Sequence, residues 1–174
     1  MRLVMKFGGT AVDSGKNIVH ITNLLKSYHI KGNEIIGVFS AVTGITDEIL
    51  NTSRYILKKD KNKIKEFINN TRSIHVDIIN ECIKNNTHKA KALQAVEILL
   101  KEMESILNGL VLLAEVTEKA LDHLLSFGER LLTPIISYSL LDNGIDSVYL
   151  TGQEVGILTD SKYGQARPRM DTTK

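Results

Sequence analysis

Lys6 precedes Gly8 and Gly9 in the stretch MKFGGTAVDSGKN, residues 5–17, a grouping of a cation with two adjacent glycines that suits a phosphate. Adjacent glycines let a backbone approach a phosphate without Cβ clashes and permit positive φ. A helix start just beyond them presents free N–H groups and the positive end of a dipole. An ammonium at the end of the preceding strand can stand beside a transferring phosphoryl group, where charge builds up. Spacing excludes two common phosphate loops. Gly9 and Gly15 are separated by five residues, and Lys16 is followed by Asn17. The loop is therefore one residue too long for a P-loop and lacks the hydroxyl that would hold magnesium. No third glycine follows Gly8-Gly9 at dinucleotide spacing. On spacing alone, a tight strand-to-helix turn with Lys6 solvated is an equal reading.

A second group of candidates lies in FSAVTGITDEIL, residues 39–50, where Ser40 and Thr46 flank a small loop that opens a helix. Ligands of open α/β sheets bind beyond the carboxyl ends of the strands, so these hydroxyls would share an end with Gly8 and Gly9 if the two strands are neighbours. The plainer alternative is helix capping by Thr43 or Thr46. A third group lies in LLSFGERLLTP, residues 124–134, which sets Glu129 and Arg130 in an apolar helical run. Charges there must be exposed, paired or functional. Glu129 could accept from a substrate ammonium or pair with a nearby base. His20, His29, His75, His88 and His123 have no metal-ligand spacing. Cys82, with apolar neighbours at helical spacing, reads as a structural thiol.

These groups must be positioned by the elements around them. RLVMKF reads as a short buried strand and EIIGVFS as a second, ending at Ser40. Between them Ile18, Ile21, Leu24 and Leu25 fall at helical spacing, with Asp13 or Ser14 placed to cap. A β-loop-α-β unit predicts a parallel pair with a right-handed crossover. A helical block follows, with amphipathic stretches over 47–58 and 61–84. From Ala90, the residues Leu93, Val96, Leu100, Met103, Leu107 and Leu110 form a heptad seam, which is a helix packed on a helix. Its partner could come from this chain or a second subunit. Residues 118–141 are helical again, with a kink or break expected at Pro134. IDSVYL reads as a third strand and TGQEVGILTD as a short hairpin or loop. The expected layout is a βαβ unit over 1–40, a helical block over 43–142, and a strand and loop over 145–174. That is an α/β fold with a helical insertion.

Apolar residues make up 43% and charged residues 24% of the 174, a globular balance with a net charge of +2. So even a balance argues against nucleic-acid or membrane partners, and the absence of Trp argues against base stacking. The apolar N-terminal run is too short for a signal peptide or a span, so the cytoplasm is the expected location.

Taken together, four segments resemble the aspartate kinase family of the amino-acid kinase superfamily. KFGGTAV is similar to its KFGGTSV, with Ala11 in place of serine. FSAVTGITDEIL resembles its V-S-A-x-x-x-x-T segment, SFGERLL its F-G-E-R helix, and TDSKYGQARP its T-D-x-x-[FY]-G-x-A segment. The resemblance implies a three-layer αβα, mainly parallel sheet, of which this chain holds the first part. The family's G-R-G-G-S-D loop, its T-D-V-x-G-[VI]-Y nucleotide segment and its ACT domains have no counterpart here, so this stretch alone is expected to be inactive. It further implies transfer of the γ-phosphoryl of MgATP to the side-chain carboxylate of L-aspartate, as a first step towards Lys, Thr and Met. Lys6 would neutralise the transferred group, and Gly8, Gly9 and Thr10 would meet the ATP phosphates. Ser40, Thr46 and Glu129 would hold aspartate, with Glu129 facing its ammonium. No resident metal or tightly bound cofactor is implied, and a homodimer is. A kinase of another small carboxylate, or a non-catalytic association module built on the helical block, are the competing readings.

Overall fold

The structure, a computed structural model, describes residues 1–171; the last three residues of the expected 145–174 segment lie outside them. Two strands, β1 (Arg2–Phe7) and β2 (Glu34–Phe39), pair in parallel with Lys6 opposite Val38 and Phe7 opposite Phe39. The crossover is α1 (Gly15–Ile30), capped by Ser14, whose hydroxyl accepts from the Asn17 N–H at 3.4 Å. Four further helices follow: α2 (Ile45–Leu57), α3 (Lys61–Cys82), α4 (Asn86–Leu113) and α5 (Glu118–Asp142). The βαβ unit and the helical block thus form where hydrophobic periodicity places them.

Strand alternation gives the sheet two unlike faces. Leu3, Met5, Phe7, Ile35 and Phe39 turn towards the helices and are half-buried. Phe7 and Phe39 stack across the pair with centroids 5.2 Å apart. Gly37 makes room for this, because a Cβ there would come within 2.6 Å of the Phe39 ring. On the other face, Val4, Lys6, Ile36 and Val38 are exposed. The described residues therefore supply one helical layer against one face of a parallel sheet.

The core sits between the helices. The α4 seam is buried through Ala92, Val96, Leu100, Met103, Leu107 and Val111, and its neighbours are α3 and α5 of the same chain. This answers the question of the seam's partner with an intramolecular one. Helix α5 passes Pro134 without a break in its assignment. The missing Pro134 N–H leaves the Arg130 carbonyl without its usual partner. The Thr133 hydroxyl donates to the Glu129 carbonyl at 3.2 Å and lies 3.5 Å from the Arg130 oxygen. At the far end, Asp142 accepts from the N–H groups of Lys84 and Asn85 at 2.8 and 3.0 Å, which ties the α3–α4 connection to the end of α5. Burial works against the Asp142 charge, yet these amides and His88 hold its carboxyl below the ordinary range.

The third expected strand does not form. Residues 145–150 carry no strand, and Val148, Tyr149 and Leu150 are exposed. The segment is tethered to α5, where Ser137 and Ser147 exchange hydrogen bonds at 3.0 Å. A cleft of about 310 Å³ lined by Ile35, Gly37 and Phe39 on one side and residues 145–150 on the other separates it from β2. β-Propensity describes fitness for a paired, half-buried surface. With the cleft between them, Val148 and Tyr149 have no ladder to join. The stretch after it is turns. A single bridge, Thr159 to Pro168, closes the TDSKYGQARP loop, and Asp122 of α5 holds it by accepting from the Gly164 N–H at 2.7 Å.

Cys82 is buried, and burial pushes its thiol up to about 12, so it is a structural residue as expected. His75 is fully buried in α3. Its Nδ1 lies 2.7 Å from the Thr71 carbonyl, so it donates there, and its Nε2 has no partner among the described residues. Burial lowers its affinity for a proton below the ordinary value of 6.5. The unfolded chain then binds the extra proton, so stability is full above 6.5 and falls as pH drops from there towards the depressed folded value. The slope reaches at most about 1.4 kcal/mol per pH unit for one group. Between about pH 5 and 6.5, above the range where paired carboxylates titrate, the urea midpoint should fall less steeply with acid in His75→Gln than in the parent. Identical slopes would remove His75 as the source.

Candidate active site

The parallel register sets two loops side by side, loop 1 (residues 8–14, between β1 and α1) and loop 2 (residues 40–44, between β2 and α2), because the Ser40 N–H donates to the Phe7 carbonyl at 3.1 Å and so extends the ladder into both. Loop 1 turns at once into a single 3-10 turn, Gly9–Ala11, closed by Ala11 N–H to the Gly8 carbonyl at 2.9 Å and Val12 N–H to the Gly9 carbonyl at 3.1 Å. As at any helix start, the first N–H groups, those of Gly9 and Thr10, have no partner within the turn. Gly8 and Thr10 are exposed and Gly9 is half-buried. Asn17 braces the loop from α1, with its Nδ2 donating to Asp13 Oδ1 at 2.8 Å and to the Thr10 carbonyl at 3.4 Å. Lys16, the tempting P-loop lysine, is an exposed residue of the first turn of α1.

Three segments distant in sequence meet at Ala41. A Cβ on Gly9 would stand 3.2 Å from the Ala41 carbonyl and 3.5 Å from Thr43 Oγ1. A Cβ on Gly128 would stand 2.8 Å from Ala41 Cβ and 3.7 Å from Thr46 Oγ1. Loop 1, loop 2 and the FGER turn of α5 are thus in contact, and each contact depends on a missing side chain. The hydroxyls of loop 2 are not spent on capping. The N-cap of α2 is Gly44, at φ +85, and it makes no side-chain cap bond. That left-handed φ requires glycine. Thr46 is exposed in the first turn of α2 and Ser40 is half-buried.

Lys6 stands on the open face of the sheet, one residue before the end of β1. Glu129 is exposed beside Gly128. The ion pair of this region belongs to its neighbour: Arg130 makes a two-pronged bond to Glu102 of α4, at 3.2 and 2.8 Å. Its guanidinium also lies 4.3 Å from the centroid of the Phe127 ring. Glu129 itself takes no part in that pair. So Gly8, Gly9, Thr10, Ser40 and Thr46 lie in two neighbouring loops and the first turn of α2, Glu129 lies mid-way along α5 beside the Gly128 that touches them, and Lys6 is the last residue but one of the strand that feeds the first loop. Chemically, this is a set of backbone donors, hydroxyls, one cation and one acid, most of them exposed to solvent.

The structure adds roles that the sequence reading did not assign: Asn17 braces the first loop, Ala41 is the meeting point and Glu102 is the partner of Arg130. Ala41 had a signal, since the small run Ser-Ala beside Val-Thr-Gly permits close packing. Glu102 had none, because a glutamate on a long amphipathic helix reads as a solvated face.

A family model described as the amino acid kinase family matches residues 1–173. The aspartokinase of Geobacillus stearothermophilus is 27% identical over 173 residues, 99% of this chain and 29% of that protein. The chloroplastic aspartokinase 2 of Arabidopsis thaliana is 27% identical over 165 residues, 94% of this chain and 29% of that protein. Among solved structures, E. coli aspartokinase III in complex with aspartate and ADP is similar with a TM-score of 0.82. Its identity is 20%, and the match covers 99% of this chain and 36% of that one. That likeness is one of fold. The chain spans under a third of the length of these curated relatives.

Proposed function

This chain belongs to the amino acid kinase family, and from that premise we propose that it supplies the phosphate loop and acceptor pocket of an aspartate kinase. The observation that carries this reading is the meeting of Gly9 and Gly128 on Ala41, which brings the KFGGT and FGER segments together across loop 2. MgATP enters as co-substrate with its phosphates against the N–H groups of Gly8, Gly9 and Thr10. Lys6 neutralises the γ-phosphoryl as negative charge builds on it. Ser40 and Thr46 donate to carboxylate oxygens of L-aspartate, and Glu129 accepts from its ammonium. A side-chain carboxylate oxygen then attacks the γ-phosphorus in line, the bond from that phosphorus to the β,γ-bridging oxygen breaks, and the products are 4-phosphoryl aspartate and ADP. The carboxylate needs no base, so the work of the protein is alignment and charge neutralisation. Aspartokinase homologues and a neighbour holding aspartate and ADP support this choice of substrates. On the same reading the protein acts in the cytoplasm, at an early step of amino-acid biosynthesis.

Division of labour between the loops has a measurable consequence. In the polypeptide as its gene encodes it, Glu129→Ala should weaken aspartate binding about tenfold or more, the loss of a charged hydrogen bond, and leave ATP binding within about twofold. Calorimetric titration of each ligand reads both. Equal losses for the two ligands would contradict the role given to Glu129.

A further inference from the structure

Phe127, Gly128, Glu129 and Arg130 are four successive residues of α5, each turned about 100° from the last. Three of them are pinned to different parts of the molecule. Phe127 is fully buried in the core. Gly128 is pressed on Ala41 of loop 2. Arg130 is forked onto Glu102 of α4 and stacked on the Phe127 ring. Glu129 is the one left pointing to solvent. We propose that the Glu102–Arg130 fork is a positioning device for Glu129, fixing the direction of its carboxylate towards the acceptor ammonium. The inference rests on the reading of Glu129 given above.

The geometry of the fork suits this task. A guanidinium that makes two parallel bonds to one carboxylate holds a plane and not only a distance. Stacking on Phe127 fixes the same plane from below. The fork also keeps a cation occupied. An unpaired Arg130 would stand one residue from the acid that must receive a substrate ammonium, and would repel that ammonium. Its reach extends to the turn after residue 150. There Glu154 accepts from the Thr151 N–H at 2.6 Å and from the Thr151 hydroxyl at 2.8 Å, and these bonds, with a smaller contribution from the Arg130 charge, hold the Glu154 carboxyl below its ordinary range.

The test is a double-mutant cycle in the polypeptide as encoded, run on Arg130→Met, Glu102→Gln and Glu129→Gln with the amino-acid acceptor it phosphorylates. Arg130→Met and Glu102→Gln should each raise KM for the acceptor about tenfold, with KM for ATP unchanged. In the Glu129→Gln background neither should raise the acceptor KM further, because the residue they orient is gone. Arg130→Lys should not rescue, since an ammonium cannot make the fork. Urea midpoints of all variants separate this from a loss of folded protein. Additive effects with Glu129→Gln, or equal rises in both KM values, would overturn the proposal. An unchanged acceptor KM in Glu129→Gln alone would instead overturn the assignment of Glu129 on which it rests.

Discussion

Lys6→Ala should lower turnover by about 10²–10³-fold while the protein stays folded. Lys6 is exposed on the open face of the sheet, so truncating it leaves no cavity and strands no partner. Its loss removes only a charge at the mouth of the phosphate loop, two residues before Gly8. Phosphoryl transfer asks the protein to neutralise charge that develops on the moving group, and a single well-placed cation accounts for a large share of that. The effect should fall on kcat more than on either KM, because the interaction is strongest in the transition state. Steady-state kinetics beside a urea denaturation curve check both parts. Near-normal turnover in Lys6→Ala would show that this lysine does not meet the phosphoryl group.

Gly128→Ala should be the most damaging small change in α5, and Ala41→Gly should repair it. In an ordinary helix, Gly to Ala gains about 1 kcal/mol from backbone entropy. Here the new Cβ would lie 2.8 Å from Ala41 Cβ, closer than two carbons can pack. Neither atom sits on a flexible arm, so either α5 or loop 2 must move. Such overpacking costs about 1–3 kcal/mol, and the movement separates Glu129 from Ser40 and Thr46. Aspartate binding should therefore be lost along with stability. Removing the opposing methyl in Gly128→Ala/Ala41→Gly restores the space, since the remaining neighbours, Thr46 Oγ1 and Ala41 Cα, lie at 3.7 and 4.0 Å. Thermal unfolding and aspartate titration of the three variants test it. A double variant no better than Gly128→Ala would mean the contact at Ala41 does not join the two segments.

Local pattern made most of the scaffold readable. The strands RLVMKF and EIIGVF, the Ser14 cap and the α4 seam each follow from residues within a few positions of one another. Of the kink or break expected at Pro134, the break does not occur, since α5 runs on through it. The segment 145–150 misled: its composition states what it would pair with, but pairing depends on a neighbour across the cleft beside β2. The site residues were legible as types. Their assembly was not, because it hangs on glycines at positions 9 and 128 meeting one alanine at position 41, contacts between segments far apart in sequence. The capping role allowed for Thr43 and Thr46 failed on a single backbone torsion, the left-handed Gly44.

The claim that this chain carries an aspartate kinase site is tested most directly by trapping the product. The polypeptide as encoded is incubated with MgATP, L-aspartate and hydroxylamine, which converts an acyl phosphate to a stable hydroxamate. L-Glutamate replaces aspartate in a parallel reaction. The expected result is aspartyl hydroxamate formed in step with ADP, little product from glutamate, and loss of both signals in Lys6→Ala. ADP released with another carboxylate as acceptor, and no hydroxamate from aspartate, would contradict it.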